Sequence, residues 1–135
     1  MTLVVDASVV VAALIDDGEV GRWARPVLAR RDVTAPHLMA FEAANIMRRA
    51  VLRGDVGDDV ARLAHADLLD TTIDFVSYEV LAARAWELRG SVTLYDAVYV
   101  ALAEASDAPL LTLDLRLVRA SGPRCRFVTP GDSLL

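Results

Sequence analysis

Apolar and polar positions along this chain recur with two different periods. Residues 3–5 form a short apolar run that ends on Asp6, and Ser8 then stands where an N-cap opens an apolar helix over residues 9–15. Asp16, Asp17 and Gly18 punctuate. A second helix is predicted over residues 19–30, with Pro26 expected to kink it or end it early. Residues 33–35 read as a short strand. Pro36 then opens a third helix, in which Leu38, Phe41, Ala44, Ile46, Met47 and Val51 make an apolar stripe that stops at Gly54. Past an acidic connector at residues 55–59, a fourth helix carries Val60, Leu63, Ala64, Leu68 and Leu69. Residues 72–76 alternate as a strand does, and residues 80–88 return to a helical period. Residues 94–105 form a helix with Leu94, Ala97, Val98, Ala101 and Leu102 on its buried face. A wholly apolar strand at residues 110–113 ends on Asp114, a short helix passes through Leu117 and Val118, and residues 126–128 make a last strand.

Strands interleaved with helices predict an α/β fold, with a mostly parallel central sheet of about four to five strands flanked by helices. No repeat, low-complexity tract or linker interrupts the chain, so residues 1–135 read as a single domain. The most apolar stretch is broken by Asp6 and is too short to span a bilayer, and no basic residue precedes Arg22. A cytoplasmic protein without a membrane segment is expected.

Composition removes several chemistries. The 14 basic residues are all Arg, because the chain contains no Lys; a Walker Lys, a Schiff-base Lys and a Ser-Lys dyad are excluded. A lone Cys125 has no internal disulfide partner, and two histidines leave a Cys/His zinc site short of ligands. His37 and His65 read as structural residues, since no nucleophile-elbow sequence accompanies them. The net charge of -5 argues against non-specific nucleic-acid binding by the whole surface, but it permits a local basic patch or a cation site.

The acids are placed unusually. Asp6 and Asp114 each end an apolar strand, and in an open parallel sheet the crevice at the carboxyl ends of the strands is where ligands bind. Glu42 lies within an apolar helical stretch with Asn45 on the same face, and Asp96 stands alone ahead of the apolar run at residues 97–103. An unpaired carboxylate beside a buried stripe is costly to desolvate. Salt bridges from Arg48, Arg49 or Arg84 to Glu42 and Asp96 are one solution. A shared hard cation is another: four converging carboxylates suit Mg²⁺ or Mn²⁺ and metal-assisted phosphodiester hydrolysis.

Four blocks carry a resemblance: Val4-Val5-Asp6-Ala7-Ser8; Pro36 followed by Glu42 and Asn45; Tyr95-Asp96-Ala97-Val98-Tyr99-Val100-Ala101-Leu102-Ala103; and Leu111-Thr112-Leu113-Asp114. In this order and spacing the chain resembles the PIN-domain ribonucleases, specifically the VapC toxins of bacterial type II toxin-antitoxin systems. The resemblance implies a PIN-like three-layer fold and a Mg²⁺-dependent endoribonuclease, with Mn²⁺ able to substitute. It puts Asp6, Glu42, Asp96 and Asp114 in the acidic, catalytic and metal-binding tetrad, supported by Ser8, Asn45 and Thr112. It also implies RNA as substrate, homodimerisation, and a small VapB-like antitoxin as partner. Some PIN nucleases carry another acid shortly after the fourth; here Leu115, Arg116 and Leu117 follow, which leaves one or two metal ions open.

RNA binding by an acidic protein requires concentrated positive charge. Arg116, Arg119, Arg124 and Arg126 form one cluster and Arg22, Arg25, Arg30 and Arg31 another, with Arg116 the expected phosphate contact because it lies nearest Asp114. Trp23 and Trp86 read as core or interface residues, with base stacking the alternative. The apolar residues 9–15, with Val20, Trp23 and Val27, are a candidate groove for the antitoxin's helix. The competing reading is a catalytically weak PIN-like module that binds protein or RNA. Receiver domains and haloacid-dehalogenase-like phosphatases are excluded by the missing Lys and, for the latter, by Ser8 in place of a second Asp.

Overall fold

The strands at the centre of the sheet are short and apolar, as strands covered on both faces must be. β1 (Leu3–Val5), β2 (Val33–Pro36) and β4 (Leu110–Leu111) bury every residue, whereas β3 (Asp74–Val76) and β5 (Phe127–Val128) lie at the edges and are more exposed. In the computed structural model, which describes residues 1–133, these strands pair in parallel in the order β3-β2-β1-β4-β5. Leu134 and Leu135, counted in the expected single domain, lie outside the described residues.

The intervening helices are α1 (Ala7–Ile15), α2 (Glu19–Leu28), α3 (Leu38–Leu52), α4 (Asp58–Leu69), α5 (Tyr78–Glu87), α6 (Leu94–Ala105) and α7 (Leu115–Arg119), with a 3-10 turn at Leu88–Gly90 after α5. Strand order runs outward from β1 to β3 and then jumps back across β1 to β4. Right-handed crossovers therefore lay α1 to α4 over one face and α5 and α6 over the other. Helix α1 packs on α2, α3 and α4, while α6 packs on β1, β2 and β4. The reversal between β1 and β4 is the topological switch point; Asp6 directly follows β1, while β4 is shorter than the predicted strand over residues 110–113 and is followed by Thr112, Leu113 and then Asp114, the cap of α7.

Helix α1 is apolar nearly all round because it is the buried hub of its layer. Val9 and Val10 are fully buried, and Val11, Ala12 and Ala13 nearly so. Its C-terminal turn meets α2 at Gly21, where a Cβ would lie 1.7 Å from the Asp16 carbonyl oxygen, so no larger residue fits this helix crossing. Of the candidate groove, residues 9–13 and Val27 are core, and Leu14, Ile15, Val20 and Trp23 are partly buried against it. Trp23 Nε1 also donates to the Asp132 carbonyl at 3.1 Å, tying the C-terminal segment down.

Other expectations shift for identifiable reasons. Asp6, not Ser8, caps α1, since its carboxylate reaches the Val9 amide. Pro36 ends β2 instead of opening a helix; it has no N–H to give, and His37 N continues the ladder to the Val76 carbonyl at 3.0 Å. Pro26 stays inside α2, which ends two residues later. The buried face of α3 is Met39, Ala43, Met47 and Ala50, one step round from the predicted stripe, and it leaves Phe41 74% exposed. Trp86 is likewise no core residue; it is 58% exposed.

Candidate active site

β1 delivers Asp6 to the rim of the sheet, and the start of α1 fixes it there. Asp6 Oδ1 accepts from the Val9 amide at 3.2 Å and from Ser8 Oγ at 2.5 Å, while Oδ2 accepts from the hydroxyl of the fully buried Thr112. Thr112 Oγ1 in turn accepts from the Asp114 amide at 3.0 Å, and Ser8 Oγ from the Leu113 amide at 3.4 Å. Two hydroxyls thus stitch the end of β1 to the end of β4. Asp114 caps α7, its Oδ1 accepting from the Arg116 and Leu117 amides at 2.9 and 3.3 Å.

The other two acids come from helices. Glu42 lies in the second turn of α3, where its Oε1 accepts from the hydroxyl of Tyr99 on α6 at 2.5 Å. Asp96 lies in the first turn of α6, and its amide is capped by Thr93 Oγ1 at 3.1 Å. Asp6, Glu42, Asp96 and Asp114 line one cavity of about 240 Å³, together with Ser8, Asn45, Arg49 and Tyr99. Thr112 stands behind Asp6. All four predicted acids are therefore brought to one place, with Ser8 and Asn45 beside them and Thr112 as support.

The cavity is electrostatically strained. Burial raises the pKa of Asp6, against the lowering effect of its hydrogen bonds from Ser8, Thr112 and Val9. Burial likewise raises Glu42, with the Tyr99 hydrogen bond opposing and the charges of Asp96 and Asp6 reinforcing. Asp96 is raised by burial and then by Asp114, while Arg116 acts in the opposite direction. Arg84 pairs with Glu104 at 2.7 Å and more distantly with Glu87. Among the described residues no ion pair reaches Asp6, Glu42 or Asp96; the only one in the site joins Arg116 Nε to Asp114 Oδ1 at 3.8 Å.

This donor set fits a hard cation: carboxylate oxygens held by hydroxyl and amide donors, repelling one another, and short of positive charge. Among the described residues no three Asp, Glu, His or Cys side chains close around a single point, so an ion would take part of its coordination from water or from phosphate oxygens.

The arginine clusters divide. Arg116 stands at the site mouth, but Arg124 and Arg126 line a different cavity with Cys125, whose thiol is pushed up to about 11 by burial and by Glu104. Arg22 and Arg25 donate to the Asp17 and Asp16 carbonyls, and Arg30 is held by Asp32. One site residue had no role assigned from sequence, Tyr99. Tyr99 follows Asp96 by three positions, the spacing that puts both on one helix face, and was readable on that ground. Arg49, expected as a salt-bridge partner, does line the cavity with Glu42 but makes no ion pair with it or with Asp96 among the described residues.

The PIN domain family model matches residues 3–123, a span that holds all four acids and every strand but β5. The chain belongs to the PIN domain family. This PIN domain is similar to Ribonuclease VapC1 of Mycobacterium tuberculosis (strain ATCC 25618 / H37Rv), with 44% identity over 126 residues, spanning 92% of the chain and 94% of the relative. It is also similar to Ribonuclease VapC3 of Pyrobaculum aerophilum, 37% identical over 125 residues, spanning 87% and 92%. Its fold matches that of PAE2754 from Pyrobaculum aerophilum with a TM-score of 0.71 at 23% identity, over 97% of this chain and 85% of that one. The Mycobacterium tuberculosis toxin VapC20, described as cleaving the sarcin-ricin loop, superposes with a TM-score of 0.66 at 17% identity, over 87% and 93%. Among the described residues of this PIN domain no helix is long and apolar enough to cross a membrane.

Proposed function

We propose that the protein is a Mg²⁺- or Mn²⁺-dependent endoribonuclease and the toxin of a toxin-antitoxin pair. The observation that carries this reading is the convergence of Asp6, Glu42, Asp96 and Asp114, from four separate elements, on one cavity where, among the described residues, three of them have no ion pair. Such a cluster is expensive as scaffold and useful as a cation site. The naming of relatives at 37–44% identity as ribonucleases adds support.

Asp6, Asp96 and Asp114 would hold a divalent ion, which would supply polarisation of the scissile phosphate and acidification of the attacking water. Hydrogen bonds from Thr112, Ser8 and the Val9 amide hold both Asp6 carboxylate oxygens, so they are oriented before any ligand arrives. Glu42, with its raised proton affinity and its Tyr99 tether, is placed to take up the proton that water loses. Arg116 offers a forked cation at the mouth for the approaching phosphate backbone.

An antitoxin partner is part of the same reading, supported by structural neighbours of like fold described as a toxin-antitoxin complex from Klebsiella pneumoniae and as VapBC2 from Rickettsia felis bound to promoter DNA. Among the described residues the large exposed apolar side chains are not on α1; one group of them, Leu52, Val60, Leu63 and Leu69, lies on α3 and α4, and there an amphipathic segment would find its surface. Self-association is the matching proposal for Phe41, Tyr78 and Tyr95, also exposed.

The test is incubation of the purified protein with total cellular RNA, with Mg²⁺ or with EDTA, alongside Asp96→Asn, followed by mapping of the new ends. Discrete cuts made only by the wild type with metal are expected. Cutting in EDTA or by Asp96→Asn, or no cutting by folded wild type with Mg²⁺, would overturn the proposal.

A further inference from the structure

A second groove of about 480 Å³ opens beside the acidic cavity and shares Asp96 and Asp114 with it. Its far wall is built from Arg89, Ser91, Thr93 and Arg116. Where the cavity is acidic, this wall is basic and hydroxylated. Arg89 is fixed in place: its guanidinium carbon lies 4.7 Å from the centre of the Trp86 ring, and Nη1 donates to the Trp86 carbonyl at 2.8 Å. Among the described residues it has no carboxylate partner. Arg116 is 93% exposed, and its single, long ion pair to Asp114 leaves most of its donors available. Thr93 Oγ1 accepts from the Asp96 amide, and its hydroxyl also lowers the proton affinity of the Asp96 carboxyl, so Thr93 holds Asp96 at the edge of the groove.

Trp86 is hard to explain otherwise. A tryptophan 58% exposed on a helix, with Arg89 stacked on its ring, forms an aromatic-guanidinium pair that holds Arg89 where it lines the groove. Single-stranded nucleic acid uses just this pair of features, a cation for the phosphate and a flat face for the base. Charge gives the same answer: a strand whose scissile phosphate enters a cluster of carboxylates needs cations on the adjoining phosphates, and Arg89 and Arg116 flank the route.

We propose that this groove is a subsite for the single-stranded RNA nucleotide adjoining the scissile phosphate, with Arg89 and Arg116 contacting backbone phosphate and Trp86 positioning Arg89. The inference rests on the ribonuclease reading and names where its substrate strand runs.

Binding isolates the subsite from turnover. The probe is a fluorescein-labelled, unstructured, single-stranded oligoribonucleotide, followed by anisotropy across a salt series with every protein on an Asp6→Asn background, so that the RNA stays intact. Arg89→Ala and Arg116→Ala are each expected to weaken binding five- to tenfold and to reduce the log-log salt slope by about 0.7, the value for one lost single-strand phosphate contact. Arg62→Ala, on α4, should change neither. Trp86→Ala should weaken binding and Trp86→Phe restore it, a rescue that mere surface packing does not require. Unchanged affinity and slope in Arg89→Ala overturn the proposal, as does weakened binding with an unaltered slope. Because cleavage is not the readout, wild type that binds with the expected slopes yet never cuts RNA removes the ribonuclease reading and leaves the subsite standing. Wild type that cuts while the Arg89→Ala slope is unmoved does the reverse.

Discussion

The Tyr99 hydroxyl donates to Glu42 Oε1 at 2.5 Å, joining α6 to α3 between residues 57 positions apart. Tyr99 is buried and its own pKa is raised, first by burial and then by Glu42, so it remains a donor throughout the working pH range. The bond orients Glu42 toward the cavity. Tyr99→Phe keeps the ring and removes the donor. The expected outcome is a folded protein whose RNA cleavage needs about 10- to 100-fold more Mg²⁺, the usual cost of losing a group that orients a metal-binding carboxylate. A Mg²⁺ titration of cleavage, with circular dichroism as the folding control, measures it; an unchanged titration would assign Tyr99 to packing alone.

Much of this was legible before the structure, and the misses share a cause. The acids at strand ends and the helix at residues 94–105 stood out because burial imposes a pattern on the sequence, and that helix was placed at its observed bounds. What failed was partnering. Whether Asp6 or Ser8 caps α1 depends on the Val9 amide's approach, and whether residues 9–15 are groove or core depends on α2, α3 and α4 closing over them. Phe41 and Trp86 have core-like chemistry, and only the packed helices reveal that they face outward. The Tyr99 tether spans two helices and has no local signature beyond its spacing from Asp96.

The raised acids imply a pH signature in the absence of metal. Below the unfolded value of 4.5, Glu42 is protonated in both states and costs nothing. As pH rises past that value the unfolded chain ionises first, the folded carboxyl lags behind, and stability is lost until pH exceeds the raised folded value. Glu42→Gln removes this loss and keeps an oxygen for the Tyr99 hydroxyl. In EDTA near neutral pH, Glu42→Gln should melt above the wild type, and the gap should shrink as pH falls through the raised folded value and be closed by about 4.5. Thermal melts across pH test this; a variant less stable than wild type near neutrality would contradict the cost assigned to the cluster.

Metal should reverse that order. A ligand that binds only the folded state stabilises it by about 2.7 kcal/mol at 100 times its dissociation constant. Wild type stripped with EDTA and then given Mg²⁺ or Mn²⁺ should gain several degrees in Tm, while Asp96→Asn gains little, since Asn removes one charge from the site. Cleavage should disappear in EDTA and return with either ion. Equal thermal shifts in wild type and Asp96→Asn would place the ion elsewhere.

Thr112 offers the sharpest separation of stability from chemistry. Fully buried at the end of β4, it donates to Asp6 Oδ2 and accepts from the Asp114 amide at 3.0 Å, so one hydroxyl positions two acids of the cavity. Thr112→Val preserves shape and β-branching but strands a buried carboxylate oxygen and a backbone amide. Losing such bonds costs about 1–3 kcal/mol in a buried site. The valine variant should therefore melt lower and should also lose cleavage beyond what residual unfolding explains, because Asp6 and Asp114 are no longer held in register. Thr112→Ser keeps the hydroxyl and should recover most of the activity with a smaller loss of Tm. Assays well below the melting temperature of each variant decide the matter: full activity in folded Thr112→Val would show that the strand ends alone position the two acids.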